Sequence, residues 1–393
     1  GCMMAAFDAI VVGSGFAGSI MAERLASRLG KRVLVIEKRP HIAGNMYDYR
    51  DENGILVHRY GPHIFRTASE RVLRYLDRFT GWHPYEHRVL AWVDEKLVPV
   101  PFNLTSLERL LPDRHEELGR LLVDTFGMDV KVPVSVLRRH EDERLRELGE
   151  FIFHNIYFNY TVKQWGDRPE NLDFETITAR VPVHVSHDDR YFQEPHQALP
   201  SEGYTAMFER MLAHPLITVQ LNEDACDLLS LDLERRQVLF HGEPFTGDVI
   251  YTGPLDELFG YCFGELPYRS LRFKLETHEM EYFQPTGTVN YPNTERFTRI
   301  TEFKHMMREK PRKTTIMKEY PQEYDRFQPG KDVPYYPIPK DANDELYERY
   351  AALARGFDKL VILGRLAEYR YYDMNNIILH SLETFDRRFG GLE

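Results

Sequence analysis

The fold is decided by one stretch near the amino terminus, Phe7-Asp-Ala-Ile-Val-Val-Gly-Ser-Gly-Phe-Ala-Gly18. A short apolar run ends at Gly13, and residues 17–29 then carry apolar side chains at the spacing of one helix face. Gly30 supplies a stop, and residues 32–37 form a second apolar run. The first part of the chain therefore predicts a strand, a glycine-rich turn, a helix and a strand, which is a βαβ unit.

The three glycines of this turn have separate physical tasks. Gly13 permits a tight turn, Gly15 lets the backbone approach a pyrophosphate, and Gly18 allows the helix to pack closely on the strand. We assign Phe16, which opens the helix, to the same cofactor site. Glu37 follows 24 residues after Gly13, at the position where a ribose hydroxyl needs an acceptor. The pattern therefore predicts dinucleotide binding rather than a glycine-rich turn in an unrelated α/β fold.

Composition narrows the classes of function. The chain has 393 residues, enough for two or three domains, and a net charge of −11 from 50 basic and 61 acidic side chains. That charge argues against general binding to nucleic acid or to an anionic membrane, although a local basic pocket for an anionic substrate stays open. Three scattered cysteines, Cys2, Cys226 and Cys262, predict neither a disulfide framework nor a metal site.

The sequence also bears on location. No apolar run approaches the length that spans a bilayer, and no charged leader with a cleavage site precedes the first strand. We therefore expect no membrane insertion and a cytoplasmic location. Gly1-Cys2 before Met3 resembles a cloning remnant. The sequence leaves open whether the chain forms a homo-oligomer.

Apolar runs elsewhere define the organisation of the chain. Residues 248–253 and 359–364 each read as a buried strand that ends in glycine, the form of central parallel strands in a nucleotide-binding sheet. Helical, charged patterns fill residues 69–79 and 105–158, and β-rich patterns follow. We expect a cofactor domain from residues 1–68, 204–265 and 338–393, a helical insertion from residues 69–165, and a β-sheet substrate domain with a mobile loop from residues 166–203 and 266–337.

The segment after the second strand favours FAD over NAD. Lys38-Arg-Pro-His-Ile-Ala-Gly44-Asn45 resembles the second glycine motif of amine oxidase-like flavoproteins, with alanine in place of their first glycine. A later glycine followed by Arg365 resembles the turn that closes against the flavin pyrophosphate in those proteins. We therefore assign Lys38, Gly44, Asn45 and Arg365 to FAD. The predicted fold class is α/β: a Rossmann-like FAD-binding domain with an inserted helical domain and an antiparallel β-sheet substrate domain.

Motifs in the rest of the chain resemble those of the UDP-galactopyranose mutase family, in the family's order. They are Gly61-Pro-His-Ile-Phe-Arg-Thr67, Tyr160-Thr-Val-Lys-Gln-Trp-Gly166, Asn290-Tyr-Pro with Thr298-Arg-Ile-Thr-Glu302, Glu319-Tyr-Pro321, Tyr335-Tyr-Pro337 and Gly364-Arg-Leu-Ala-Glu-Tyr-Arg-Tyr-Tyr-Asp-Met374. The resemblance covers nearly the whole chain. A fold can nevertheless host relatives with altered substrates.

The resemblance implies a non-redox use of flavin. Reduced N5 attacks the anomeric carbon of a UDP-hexose, UDP leaves, the sugar opens while attached to the flavin, and another hydroxyl closes the furanose ring. No electron is consumed overall, but FAD is active only when reduced, so an external reductant such as NAD(P)H is expected. The protein supplies position and electrostatics while the cofactor carries the chemistry. UDP-galactopyranose is the expected substrate.

The resemblance assigns Arg299 to a diphosphate clamp, because a guanidinium offers a planar fork for phosphate oxygens. The alternative is a surface ion pair with Glu302. Tyr335 and Tyr371 match tyrosines that donate hydroxyls to the diphosphate, although tyrosines outside such a family context more often pack. These three residues are the predicted catalytic set, together with Arg66 and Asp373.

Further family positions surround the nucleotide sugar. Tyr160 and Trp165 match aromatic residues on the uracil and sugar sides of the pocket, and the alternative for both is core packing. Asn103 matches a sugar-contacting asparagine, but a helix N-terminal turn is an equal physical reason for it. Asn290 is assigned to the substrate as well.

The resemblance also places His63, Asp373 and Met374 beside the flavin. A helical pattern begins at Met374, so Asp373 can cap that helix while its first N–H groups face the flavin. A helix N-terminus in that position favours the anionic reduced flavin, the state with the nucleophilic N5. No metal ligands are predicted.

Three positions depart from the family pattern. Arg66 stands where histidine is usual, and His184 stands where the second arginine of Arg180-Val-Pro-x-Arg is usual. One interpretation is that Arg66 takes over part of the lost diphosphate or sugar contact, because arginine is charged at every working pH and histidine only partly near neutrality. His196 replaces a tyrosine near the nucleotide end, with neutral drift as an equal explanation. The changes open UDP-N-acetylgalactosamine as an alternative substrate.

The segment of residues 171–197 has the composition of a long functional loop, and we expect it to close over the substrate and exclude water. Two rival functions stay open at this point. One is a flavin amine oxidase-like oxidoreductase, which shares the fold and the cofactor. The other is a flavin-retaining protein that binds nucleotide sugars without turnover.

Overall fold

The structure is a computed structural model that describes residues 7–390, so Gly1 and Cys2 lie outside the described residues. The strands are β1 (Ala9–Val12), β2 (Val33–Ile36), β3 (Asp48–Arg50), β4 (Leu56–His58), β5 (Phe65–Thr67), β6 (Trp82–Pro84), β7 (Val89–Val93), β8 (Lys96–Val100), β9 (Phe102–Asn103), β10 (Lys131–Pro133), β11 (Pro182–His184), β12 (His196–Pro200), β13 (Ile217–Gln220), β14 (Leu229–Asp232), β15 (Gln237–Phe240), β16 (Glu243–Pro244), β17 (Asp248–Tyr251), β18 (Tyr268–His278), β19 (Thr288–Asn290), β20 (Arg299–Glu302), β21 (Thr314–Glu323), β22 (Tyr336–Pro337) and β23 (Leu360–Ile362).

The helices complete the list of elements. They are α1 (Phe16–Leu29), α2 (Glu70–Asp77), α3 (Leu104–Leu110), α4 (His115–Phe126), α5 (Val134–Arg138), α6 (Glu143–Ile152), α7 (Phe158–Trp165), α8 (Phe174–Ala179), α9 (Tyr204–Leu212), α10 (Ala225–Leu228), α11 (Leu255–Leu258), α12 (Lys304–Met307), α13 (Asp341–Arg355) and α14 (Met374–Phe389). Within residues 7–390, no helix is long and apolar enough to cross a bilayer.

A five-stranded parallel sheet forms the cofactor domain, in the order β13-β2-β1-β17-β23. The predicted βαβ unit and the two later glycine-ended strands are confirmed as its members. Strand β1 is buried on both faces: Ala9 and Val11 pack with α1 and α14, while Ile10 and Val12 pack with the α13 side. Burial on both faces explains why these strands are continuous apolar runs without alternation.

Helix α1 lies unusually close to β1 because two glycines face each other. A Cβ atom on Gly18 would lie 1.9 Å from the carbonyl oxygen of Gly13. The helix stops at Gly30, which adopts a left-handed conformation with φ +64° and donates its N–H to Ala26 O. The task predicted for Gly18, close packing of helix on strand, is therefore what the structure shows.

A second sheet has seven strands in the order β22-β18-β21-β20-β19-β7-β8, and its assignment as a substrate domain stays a prediction. Its pairs are antiparallel except for β7 with β19. The prediction that residues 69–165 form a helical insertion is wrong for β7 and β8, which belong to this sheet. Val89, Ala91 and Val93 are buried while the residues between them are not. That period of two marks a half-buried strand, and the leucine-based helical interpretation of the region missed it.

A helical layer, α3 to α8, covers one end of the sheet and shares a hydrophobic core with strands β7 and β8. Residues 171–197, predicted as a long functional loop, contain α8, β11 and the start of β12. Strand β11 pairs with β9 and β10, and β12 pairs with β5 and β6. The four buried residues 197–200 explain β12, because an apolar stretch of that length must be covered.

Gly18 gives a direct test of the helix–strand contact. Gly18→Ala should lower the free energy of unfolding by about 3 kcal/mol, because the added methyl meets backbone atoms that a side-chain rotation cannot clear. Urea unfolding followed by circular dichroism measures this. Gly15→Ala is the matched control, since no atom of the described residues lies within 4 Å of a Cβ at Gly15. Equal stability of the two variants would show that α1 tolerates displacement.

Candidate active site

The glycine-rich turn and Glu37 build a cradle at the carboxyl edge of the parallel sheet. Glu37 is 6% exposed, and its Oε1 accepts hydrogen bonds from Ser14 N at 3.1 Å and Ser14 Oγ at 2.5 Å. Its Oε2 accepts Arg39 N at 3.0 Å. The sequence prediction named Glu37 but missed Ser14, whose hydroxyl fixes the carboxylate against the turn. The only signal for Ser14 was its position inside the glycine motif.

A second backbone segment, the loop that contains Ala43 and Gly44, completes the cradle. Gly44 has φ +55°, and a Cβ there would lie 3.0 Å from Gly15 Cα, so the two glycines bring their loops into contact. Ala43 also has positive φ, +78°, which explains why glycine suits this position better than alanine. Asn45 continues the turn at Gly44–Met46. Lys38 points outward, 70% exposed, and forms an ion pair with Asp224 at 3.7 Å.

The N-terminus of α14 lies on the same side. Asp373 caps this helix, as predicted, by accepting Asn376 N at 2.7 Å. The Arg66 guanidinium lies 3.4 Å from an Asp373 carboxylate oxygen and 4.0 Å from the ring centre of Phe192. Met374 packs against the core that includes Phe16. The structure therefore joins Arg66, on β5, to the predicted helix cap.

The substrate sheet aligns three polar residues in one row. Asn290 on β19 is directly opposite Arg299 on β20, and Arg299 is directly opposite Glu319 on β21. Side chains of directly opposed residues lie on the same face of a sheet. The row therefore presents an amide, a guanidinium and a carboxylate together.

Arg299 pairs with Glu319 rather than with Glu302, the partner considered from sequence. Its Nη2 donates to Glu319 Oε1 at 3.0 Å, while its Nε is buried without a hydrogen-bond partner among residues 7–390. Burial opposes the charge of Arg299, but Glu319 outweighs it and raises the arginine pKa. Glu302 is fully buried and accepts the N–H groups of Phe283 and Gln284 instead. The guanidinium is thus oriented, charged and incompletely satisfied.

Helix α7 carries Tyr160 and Trp165 to the same region. Burial raises the pKa of Tyr160, opposed by the nearby Arg299 charge, so this phenol lies within electrostatic reach of the arginine. Trp165 is the last residue of α7 and packs edge-on against Tyr336, with ring centres 5.4 Å apart. Both aromatic residues are therefore brought to the site by one short helix.

Arg365 links the two predicted diphosphate tyrosines. It donates to Tyr335 O at 3.0 Å and to Tyr372 O at 3.3 Å, and its guanidinium lies 5.2 Å from the Tyr371 ring. Tyr335 is buried, with its ring edge-on to Phe273, whereas Tyr371 is 68% exposed. Tyr371 therefore fills no core position, and its contact with the diphosphate stays a prediction.

Two histidines in the site are held neutral. Burial, with the charges of His58, Arg365 and Arg299, lowers the pKa of His63 to about 3. Burial and Arg299 lower the pKa of His87 to about 3 as well. The Nδ1 atom of His87 is hydrogen-bonded to the Tyr85 hydroxyl at 3.0 Å. The sequence analysis did not identify His87, because it precedes β7, a strand that was not predicted.

Three predicted substrate residues lie away from the Arg299 row. Asn103 caps α3 by accepting Ser106 N at 2.9 Å and donates to Asp189 Oδ1 at 2.8 Å, so its alternative role as a helix cap is present. His184 is 5% exposed in β11, opposite Lys131, and burial lowers its pKa. Arg180 lies exposed at the end of α8. Contact of these residues with substrate stays a prediction.

His196, the third departure, lies at the start of β12 and packs against aromatic side chains. Its ring is edge-on to Trp82 and Phe65, with ring centres 5.0 and 5.7 Å apart. Burial lowers the pKa of His196, opposed by Asp77. In this position the residue serves the contact between β12 and β5.

A five-stranded parallel sheet with a glycine-rich cradle at its carboxyl edge, together with a second sheet that carries an arginine-centred row, defines an α/β protein of the Rossmann-like dinucleotide-binding class. The family model for UDP-galactopyranose mutase matches residues 155–371, and that for the NAD(P)-binding Rossmann-like domain matches residues 11–79. The chain belongs to the UDP-galactopyranose mutase family, a family of isomerases.

Individual relatives agree with that assignment. UDP-galactopyranose mutase of Mycoplasma pneumoniae is 35% identical, covering 96% of this chain and 94% of the relative. dTDP-fucopyranose mutase of Escherichia coli is 31% identical, covering 95% and 96%. A crystal structure of reduced UDP-galactopyranose mutase superposes with a TM-score of 0.73 at 17% identity, covering 98% of this chain and 94% of that one, and so supports the fold.

The neutral histidines predict acid sensitivity. Because the folded state holds the pKa of His63 and His87 near 3 and the unfolded state near about 6.5, unfolding takes up protons below pH 6.5. The contribution of these two neutral histidines to the free energy of unfolding is therefore fully present above pH 6.5. It is lost progressively as the pH drops toward 3. His87→Gln should reduce this slope by up to about 1.4 kcal/mol per pH unit. Urea unfolding at pH 7, 6, 5 and 4.5 measures the slope.

The control for this series is His154→Gln. His154 is 61% exposed, so its replacement should leave the slope as in the wild type. Identical slopes for wild type and His87→Gln would contradict a buried neutral imidazole at position 87.

Proposed function

We propose that this protein is a flavin-dependent isomerase that converts UDP-galactopyranose to UDP-galactofuranose. The observation that carries the proposal is the Arg299 guanidinium, oriented by Glu319 and with Nε unpartnered within residues 7–390, on a sheet that faces the dinucleotide cradle. A planar fork with a free donor suits a diphosphate. The dTDP-fucopyranose mutase relative, by its name, acts on a second nucleotide sugar, which keeps such a substrate within the same reaction class.

The cradle fits FAD. A Cβ at Gly15 would point into space free of described protein atoms, as a backbone that must approach a pyrophosphate requires. Glu37 keeps a buried carboxylate at the end of β2, where a ribose is held in such folds. When bound and reduced, FAD supplies the nucleophilic nitrogen that takes the anomeric carbon as UDP leaves. Reduction by NAD(P)H is part of the proposal.

The residues of this chain hold the leaving group. Arg299 meets the negative charge that develops on the diphosphate, and the hydroxyl groups of Tyr335 and Tyr371 donate hydrogen bonds to it. Burial raises the pKa of Tyr335, so this phenol stays protonated and can donate at neutral pH. None of these three groups has to transfer a proton for the bond to the diphosphate to break.

Other side chains orient the sugar and exclude water. Tyr160 and Trp165 flank the uracil and sugar, and Asn290 meets a sugar hydroxyl from the same row as Arg299. His63 stays neutral beside the cofactor, so it donates or accepts hydrogen bonds without adding charge. The N-terminus of α14, capped by Asp373, faces the pyrimidine side of the flavin and favours a negative charge there.

The segment of α8 and β11 closes over the bound substrate in this proposal. Arg180 is exposed at the end of α8, and His184 lies in β11, a strand of three residues whose pairing with β9 and β10 closure has to release. Closure brings one of them toward the diphosphate and shields the reacting carbon from water.

The function is tested with dithionite-reduced protein. UDP-galactopyranose should give UDP-galactofuranose, detected by anion-exchange chromatography and NMR, because only reduced flavin carries the nucleophile. Oxidised protein is the control and should give no product. UDP-N-acetylgalactosamine and dTDP-fucopyranose run in parallel show which sugar is preferred. Oxygen consumption stoichiometric with substrate would instead identify an oxidoreductase.

Gly15→Ala tests the cofactor site separately. The variant should fold as stably as the unliganded wild type, since no described protein atom meets the new methyl, yet it should lose bound FAD because the methyl occupies the pyrophosphate approach. Absorbance at the flavin band per mole of purified protein measures retention. Full FAD content in Gly15→Ala would place the pyrophosphate elsewhere.

A further inference from the structure

A polar stripe on the insertion faces the turn that closes the Asn290–Arg299 pair. Asn155, Asn159 and Lys163 are spaced by four residues along the π-helical segment Phe153–Tyr157 and α7. Side chains at this spacing lie on one helical face. The turn opposite them spans residues 291–298.

Four hydrogen bonds join the stripe to the turn. Lys163 Nζ donates to the carbonyl oxygens of Tyr291 at 2.6 Å and Phe297 at 3.2 Å. Asn159 Nδ2 donates to Asn293 Oδ1 at 3.1 Å, and Asn293 Nδ2 donates to the carbonyl oxygen of Asn155 at 3.0 Å. Lys163 therefore holds both ends of the turn, and Asn159 and the backbone of Asn155 hold Asn293 in its middle.

The turn controls the row that holds Arg299. Tyr291 N donates to Thr298 O at 2.8 Å, and Thr298 N donates to Glu319 O at 2.9 Å. Asn290 and Arg299 are the residues on either side of this closed turn and are directly opposite each other. Any displacement of the turn is therefore passed to the amide and the guanidinium.

The other end of the contact controls the aromatic residues. Tyr160 and Trp165 are on the same two turns of α7 as Lys163, so the helix cannot shift without moving them. Burial lowers the pKa of Lys163 to about 8, with Glu295 opposing, so the ammonium is mostly retained at neutral pH. A half-buried ammonium that donates to two carbonyls is a strong constraint.

We propose that Lys163, Asn159 and Asn293 form a clamp of positioning residues that fixes the aromatic helix α7 relative to Arg299. The clamp sets the distance between the group that recognises the uracil and the group that holds the diphosphate. It rests on the proposed function in that the ligand is a uridine diphosphate sugar. The residues act through Tyr160 and Arg299 and do not touch the reacting atoms.

The test is a comparison of UDP binding and turnover in the full-length, FAD-loaded protein. Lys163→Met should raise the Kd for UDP, measured by calorimetry, and the KM for the UDP-sugar by roughly tenfold or more, because both halves of the nucleotide site lose their register. The kcat should change by less than about threefold, since ground state and transition state share the lost contact. Lys163→Arg, which keeps the charge and two donors, should recover most of the affinity.

Two further variants keep the test decisive. Asn293→Ala removes a half-buried side chain of the turn and should weaken UDP binding in the same direction if Lys163→Met does not fold. Lys304→Met is the matched control: Lys304 also donates to two carbonyls, those of Glu281 and Pro311, so its loss should lower Tm while leaving the Kd for UDP unchanged.

The outcomes separate this inference from the proposed function. Unchanged Kd and KM in both clamp variants would overturn the clamp while leaving the function intact. Equal losses of affinity in Lys163→Met and Lys304→Met would reduce the clamp to a general stability effect and overturn it. Wild-type protein that binds no UDP would overturn the proposed function itself.

Discussion

The close approach of α1 to β1 is the constraint on which the rest of the structure depends. With Gly18 against the carbonyl of Gly13, the helix lies flat on the sheet and its N-terminus meets the loops that carry Ser14 and Gly44. All five strands of that sheet are parallel, so their carboxyl ends share one edge. Ligands of open α/β sheets bind at this edge, and the structure builds its cradle there from segments far apart in sequence.

The second sheet depends on how it docks against this edge. Gly61 has φ +96°, and a Cβ there would lie 3.2 Å from the Phe273 ring and 3.5 Å from a Glu319 oxygen. Phe273 and Glu319 are themselves directly opposed on β18 and β21. The glycine therefore lets the loop after β4 lie against the row that contains Arg299. The two sheets meet there, and cofactor cradle and substrate wall face each other without a long linker.

Sequence patterns within a few residues predicted the glycine turn and the helix caps. The features that they did not predict depend on the pairing register of strands far apart in sequence. The glycine turn, Glu37 and the caps Asn103 and Asp373 follow from residues within a few positions of one another. The ion-pair partner of Arg299 could not be predicted from neighbouring residues. Glu302 is three residues away, and a strand turns a side chain at that spacing to the opposite face. Its actual partner, Glu319, is set by the pairing of β20 with β21. Strand β7, and with it His87, depends on the same kind of pairing.

Arginine at position 66 and histidine at position 184 reverse the residue types that are usual in the family. The places of the two positions in the fold explain what this exchange does. Arg66 is on β5, a strand fixed by β12, and it is held by Asp373 and Phe192. Position 184 belongs to the segment proposed to close. A cation on β5 is present at the site before closure, whereas a cation on the closing segment arrives only with it. Because Arg66 also offsets the carboxylate of Asp373, the positive end of α14 is not cancelled by its own cap. In the proposed closure, the exchange therefore places a permanent charge on the fixed strand β5 instead of on the closing segment.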